Sequence, residues 1–100
     1  MQEHHLPITV SGRYLVEIPE GDGPFPLLAG FHGYGQTAED QLLLLDGIPG
    51  SGRWTRCSIE ALHPFMNAKG VPGASWMTRR DRELRIAENV AWVDACLLYT

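Results

Sequence analysis

The chain has 100 residues, 44% hydrophobic and 20% charged, with eleven glycines and seven prolines. That profile fits one globular unit over residues 1–100 without an internal boundary, and it excludes low-complexity and collagen-like chains. Net charge is −4, with Arg13 alone against seven acidic residues in the first fifty positions, so nucleic acid is not expected as a partner.

No apolar run approaches the roughly 18 residues of a membrane span. MQEHHLPITV has neither a basic start nor a long apolar stretch, so the expectation is a cytoplasmic chain with no membrane partner. His4–His5 is an adjacent pair, and metal binding there would need further ligands that the sequence does not supply.

Residues 6–18, LPITVSGRYLVEI, hold two β-rich runs around Ser11–Gly12, read as an antiparallel hairpin or an edge pair and ended by the turn-rich Pro19–Pro24. FPLLAGF, residues 25–31, is a continuous apolar run, the pattern of a parallel strand covered on both faces. HGYGQ at 32–36 is then the loop at that strand's C-terminal end. Thr37 and Asp40 are spaced as a capping box for a helix over Ala38–Leu45 that Gly47 and Pro49 terminate.

Gly50-Ser51-Gly52 reads as a flexible link, too short for a phosphate loop and without its lysine. WTRCSIEAL, residues 54–62, is a further strand stopped by His63-Pro64, and 67–75 is a loop. From Arg80 to about Leu98 no Gly or Pro intervenes, and Ile86, Val90, Val93 and Leu97 recur at helical spacing. That long amphipathic helix needs a sheet to cover its stripe. The basic cluster Arg79, Arg80, Arg82 and Arg85 is interrupted by Asp81 and Glu83, as on a solvated helix face. Cys57 and Cys96 match no metal or C-x-x-C spacing and read as small core residues.

The order of strands and helices is that of an α/β layered fold. Its chemically informative segment is LLAGFHGYGQTAEDQ, residues 27–41, where a strand delivers His-Gly-x-Gly to the sheet edge at which α/β ligand sites form. Peptide N–H groups in such a turn, ahead of a helix, can stabilise negative charge on an acyl-transfer intermediate. A plain strand–turn–helix connection explains the same glycines.

FHGYGQTAEDQ at 31–41 resembles the oxyanion-loop segment of the α/β-hydrolase superfamily, in particular the phospholipase/carboxylesterase group of small serine esterases. The order of elements and the Ser75-Trp76 stretch in GASWMTRRDRELRIAENVAWV agree with it, over residues 13–97. The resemblance implies the N-terminal part of an α/β-hydrolase fold and hydrolysis of a small carboxylic ester through an acyl-enzyme, with no cofactor or metal. It assigns the Tyr34 backbone N–H to the oxyanion hole, shaped by Gly33 and Gly35. His32 is implied to be structural. Gln36 either lines the pocket or caps the following helix, and Trp76 is either a wall of the site or a core aromatic.

The mechanism needs a serine nucleophile in G-x-S-x-G, followed by an acid and a histidine. Ser11, Ser51, Ser58 and Ser75 stand in no such motif. Cys57 and His63 are six positions apart, roughly 20 Å in an extended strand, which rejects them as a dyad. The chain is therefore expected to be about the first half of a larger core, inactive by itself. The rival is a non-catalytic α/β module acting through self-association or partner binding at uncovered apolar surface.

Overall fold

The computed structural model describes residues 1–100. Two short sheets and two helices follow in the order β1 (Tyr14–Glu17), β2 (Leu27–Phe31), α1 (Ala38–Asp46), β3 (Thr55–Ile59), β4 (His63–Met66), β5 (Pro72–Ser75) and α2 (Arg82–Tyr99). The main sheet has the order β1-β3-β2, with β3 antiparallel to β1 and parallel to β2. Ala29 and Phe31 of β2 lie opposite Cys57 and Ile59 of β3.

Side chains alternate across a strand, and β3 uses both directions. Arg56 and Ser58 face α1: Arg56 Nη1 donates to Asp46 Oδ1 (2.8 Å), and the Ser58 hydroxyl donates to the Ala38 carbonyl (2.7 Å). Cys57 and Ile59 face α2 and form the core with Cys96, flanked by Tyr14, Trp76, Trp92 and Val93. The result is a helix–sheet–helix stack with mixed α/β content. The capping box is present as expected, with Asp40 N–H donating to Thr37 Oγ1 and Thr37 N–H to Asp40 Oδ2.

Several expectations are corrected. The run before Ser11 forms no strand; residues 1–12 are an arm outside both sheets, and β1 pairs with β3. Gly50-Ser51-Gly52 is no flexible link, because Ser51–Arg53 is a 3₁₀ turn with Ser51 buried and its hydroxyl on the Asp46 carbonyl. His63-Pro64 does not end the sheet structure, and 67–75 is not all loop: β4 and β5 form an antiparallel ribbon around the Asn67–Gly70 turn. Prolines survive there because a two-stranded ribbon has only edge strands.

Strand β2 is not covered on both faces, since Leu27 and Phe31 are 39% and 48% exposed. It is also an outer strand of its sheet. The stripe of α2 is rotated from its expected position: Asn89 and Cys96 are buried, whereas Val90 is 55% exposed. The positions facing the sheet are Asn89, Trp92, Val93 and Cys96, spaced i, i+3, i+4, i+7. Asn89 lies on that face because its amide is used in full. It accepts from Leu62 N–H (3.0 Å) and donates to the carbonyls of Trp76 (2.8 Å) and Arg85 (2.9 Å). No helix is long and apolar enough to cross a membrane.

Candidate functional site

The His-Gly-Tyr-Gly-Gln loop leaves β2 at its C-terminal end and is held from three directions. His32 is buried. Its Nε2 accepts the Ala61 N–H at 3.0 Å, which places the ring proton on Nδ1, 2.7 Å from the Gly33 carbonyl. The Trp76 ring stacks on His32 with centroids 5.1 Å apart and donates its Nε1–H to the His32 carbonyl (2.8 Å). Those contacts make His32 a brace between the loop, the β3–β4 connection at Ala61 and the segment after β5.

The loop's far side is sewn to β5. Gly35 N–H donates to the Ala74 carbonyl and Ala74 N–H to the Gln36 carbonyl, each at 3.0 Å, in an isolated antiparallel bridge. Asn67 Nδ2 adds a bond to the Gly35 carbonyl (3.2 Å). Gly35 sits at φ +74°, a conformation that disfavours a side chain. Gly73 must also be glycine, because a Cβ there would lie 2.1 Å from the Gly35 oxygen.

Gln36 braces the turn from within: its Oε1 accepts the Gly33 N–H at 2.7 Å, and its own N–H donates to the Gly33 carbonyl at 3.1 Å. Thr37, not Gln36, caps α1. Of the four peptide N–H groups from Gly33 to Gln36, three are therefore donated within the protein. The N–H of Tyr34 is the exception and has no protein acceptor. The Tyr34 ring is 78% exposed and leans on Phe65, centroids 4.9 Å apart.

Two clefts flank the loop. One, of about 640 Å³, is lined by Tyr34, Phe65, His63, Ser75, Arg79 and Arg82. The other is an apolar groove of about 360 Å³ between Phe31, Trp76 and the Ile86, Val90 and Val93 face of α2. Trp76 thus both packs on His32 and lines a groove.

No serine hydroxyl is hydrogen-bonded to a histidine or a carboxylate. Ser75 lies opposite His63 across the β4–β5 ribbon, but its hydroxyl donates to the Met77 carbonyl, and His63 Nε2 is buried without a partner. Burial, with Arg85 nearby, holds the His63 pKa below the usual histidine value. The hydroxyls of Ser58 and Ser51 are committed to backbone carbonyls. Cys57 and Cys96 are free and buried; burial raises both thiols, Cys96 to about 11. Neither is a nucleophile at neutral pH.

The loop's supports at Ala61, Asn67, Gly73 and Ala74 were not anticipated from the sequence. Only Asn67-Ala-Lys-Gly70, a turn signature between two short runs, carries a signal that could have placed the ribbon. No family model, no curated protein and no solved structure matches the chain.

Proposed function

We propose that this chain is the N-terminal portion of a serine carboxylesterase-like hydrolase of the α/β-hydrolase fold, supplying the oxyanion loop but not the nucleophile. The observation that carries the reading is the single undonated peptide N–H at Tyr34, in a loop whose other three donors are all used. A carbonyl oxygen gaining charge in an acyl transfer needs a fixed donor that owes nothing to the rest of the protein. Gly33 and Gly35 set the turn, and Gln36 and His32 hold it.

The bare outer edge of β2 supports the same reading. A further parallel strand paired there would end beside the loop. A G-x-S-x-G elbow at that end would bring its serine, and the N–H that follows it, next to the Tyr34 N–H. In the whole enzyme the serine Oγ would attack the ester carbonyl, with the histidine taking its proton and then giving it to the departing alcohol. Water would next cleave the acyl-enzyme. The substrate is a small carboxylic ester, and the apolar groove beside Trp76 offers surface for its acyl or alcohol group.

Reading the encoding DNA past Thr100 in all frames tests this. A G-x-S-x-G elbow after a short strand is expected, and its absence overturns the esterase reading. In the complete enzyme, Tyr34→Pro, which removes the N–H, should lower kcat about 10²–10³-fold, whereas Tyr34→Phe should leave it unchanged. The chain alone should show no labelling by a fluorophosphonate.

A second reading, a non-catalytic module that self-associates, is favoured by the same exposed Leu27, Phe31 and Val90. Sedimentation of the chain over a range of concentrations separates the two, since a functional module gives one defined oligomer and a fragment gives polydisperse association.

A further inference from the structure

The N-terminal arm lacks the forces that usually fix a chain segment. Residues 1–12 lie in no helix or strand and make no backbone hydrogen bond. Burial does not hold the arm, since Leu6, Ile8 and Val10 are 83%, 81% and 60% exposed. Near its start, however, three donor atoms converge. His5 Nε2 lies 3.1 Å from Asp81 Oδ2 and 4.0 Å from Glu3 Oε1, and all three atoms fall within 4.8 Å of one another. Asp81 immediately precedes α2, and its side chain makes no capping bond to that helix. It is turned to the arm instead.

We propose that Glu3, His5 and Asp81 form a site for a zinc-type divalent cation that fastens the N-terminal arm to the start of α2. The donor set is one imidazole nitrogen and two carboxylates, brought together from segments 76 residues apart. Around a tetrahedral ion with ligands at about 2.0–2.2 Å, ligand atoms stand about 3.3–3.5 Å from each other. The two separations at His5 bracket that edge, and Glu3 is an exposed side chain that can move toward the ion. Three protein ligands leave a fourth position for water.

The imidazole sets the choice of metal. Calcium and magnesium take oxygen donors, whereas an imidazole with carboxylates suits zinc and its neighbours. Two carboxylates neutralise the dication, and coordination at His5 Nε2 leaves the ring proton on Nδ1. His4 stands outside the cluster, its Nε2 bonded to Gln2 Oε1 at 3.0 Å. That separation gives the test its control.

The full chain is titrated with Zn²⁺ alone by calorimetry, with Co²⁺ absorption as a second readout of tetrahedral coordination. One saturable site is expected. His5→Ala and Asp81→Asn should each weaken it at least about tenfold, and His4→Ala should leave it intact. Zinc should also slow proteolysis within residues 1–12 of the wild type and not of His5→Ala. The proposal is overturned by the absence of saturable binding. It is equally overturned if His4→Ala weakens binding as much as His5→Ala, which would mark chelation by the histidine pair, or if Asp81→Asn has no effect.

Discussion

The carbonyl oxygen of Gly35 occupies the space that a side chain on Gly73 would need, 2.1 Å from an ideal Cβ. Backbone, not a flexible side-chain tip, fills that space, so the clash has no cheap relief. Gly73→Ala should therefore push the loop off β5 and cost roughly 3 kcal/mol, at the upper end of overpacking penalties. Gly52→Ala is the comparison, because nothing lies within 4 Å of its added Cβ. Urea denaturation that ranks the two equally would refute the strict fit of Gly73 under Gly35.

Removing the His32 ring leaves the N–H of buried Ala61 without an acceptor and strips the stacking partner from Trp76. His32→Ala should cost roughly 2–4 kcal/mol. Trp76→Phe keeps an aromatic face but loses the bond to the His32 carbonyl, and should cost about 1 kcal/mol. Equilibrium unfolding of both variants checks the order of the two losses.

Acid should act on His63. Its folded pKa lies below the ordinary value of 6.5 because burial and Arg85 disfavour the cation, with Glu88 opposing them. The unfolded chain then binds a proton that the folded chain does not, so stability rises with pH through this window. The stabilisation is complete above the unfolded value and is lost as pH falls through it toward the folded one. The urea midpoint should drop between about pH 7.5 and about pH 5.5 in the wild type, and less so in His63→Gln. Equal drops would show that His63 is not the titrating group.

The two thiols should be silent in the native state. Cys57 and Cys96 are buried, and the Cys96 pKa is pushed up to about 11 by burial and by Cys57. Neither should react with an aromatic disulfide at about pH 8 until urea is added, when two equivalents appear. Rapid labelling before unfolding would place a thiol at the surface.

Features specified by neighbours along the chain were legible in the sequence. Thr37 and Asp40 are three apart, and their box forms as read. The long helix was marked by the lack of Gly and Pro after Arg80, and it runs Arg82–Tyr99. Its orientation was not legible, because Asn89 is polar and its burial depends on Leu62 and Trp76, both distant in sequence. The β4–β5 ribbon was hidden for a related reason: Pro64 and Pro72 read as breakers until each is seen on an edge. At the candidate site, the loop could be located but its shape could not. Local residues name the turn, while Ala61 and Asn67 donate to it and Ala74 takes its Gly35 N–H, all from segments distant in sequence.

That dependence on distant segments has a consequence for the order of folding. The contacts that close the loop span 29 residues from His32 to Ala61 and 44 from His32 to Trp76. Each requires a long stretch of chain to be gathered before it contributes, so these supports are available only where the main sheet and the ribbon meet, whereas the Gly33–Gln36 bonds are local. A peptide of residues 27–41 would carry the motif without its long-range supports. The fixing of the turn is an outcome of assembly, added to what Gly33 and Gln36 close locally.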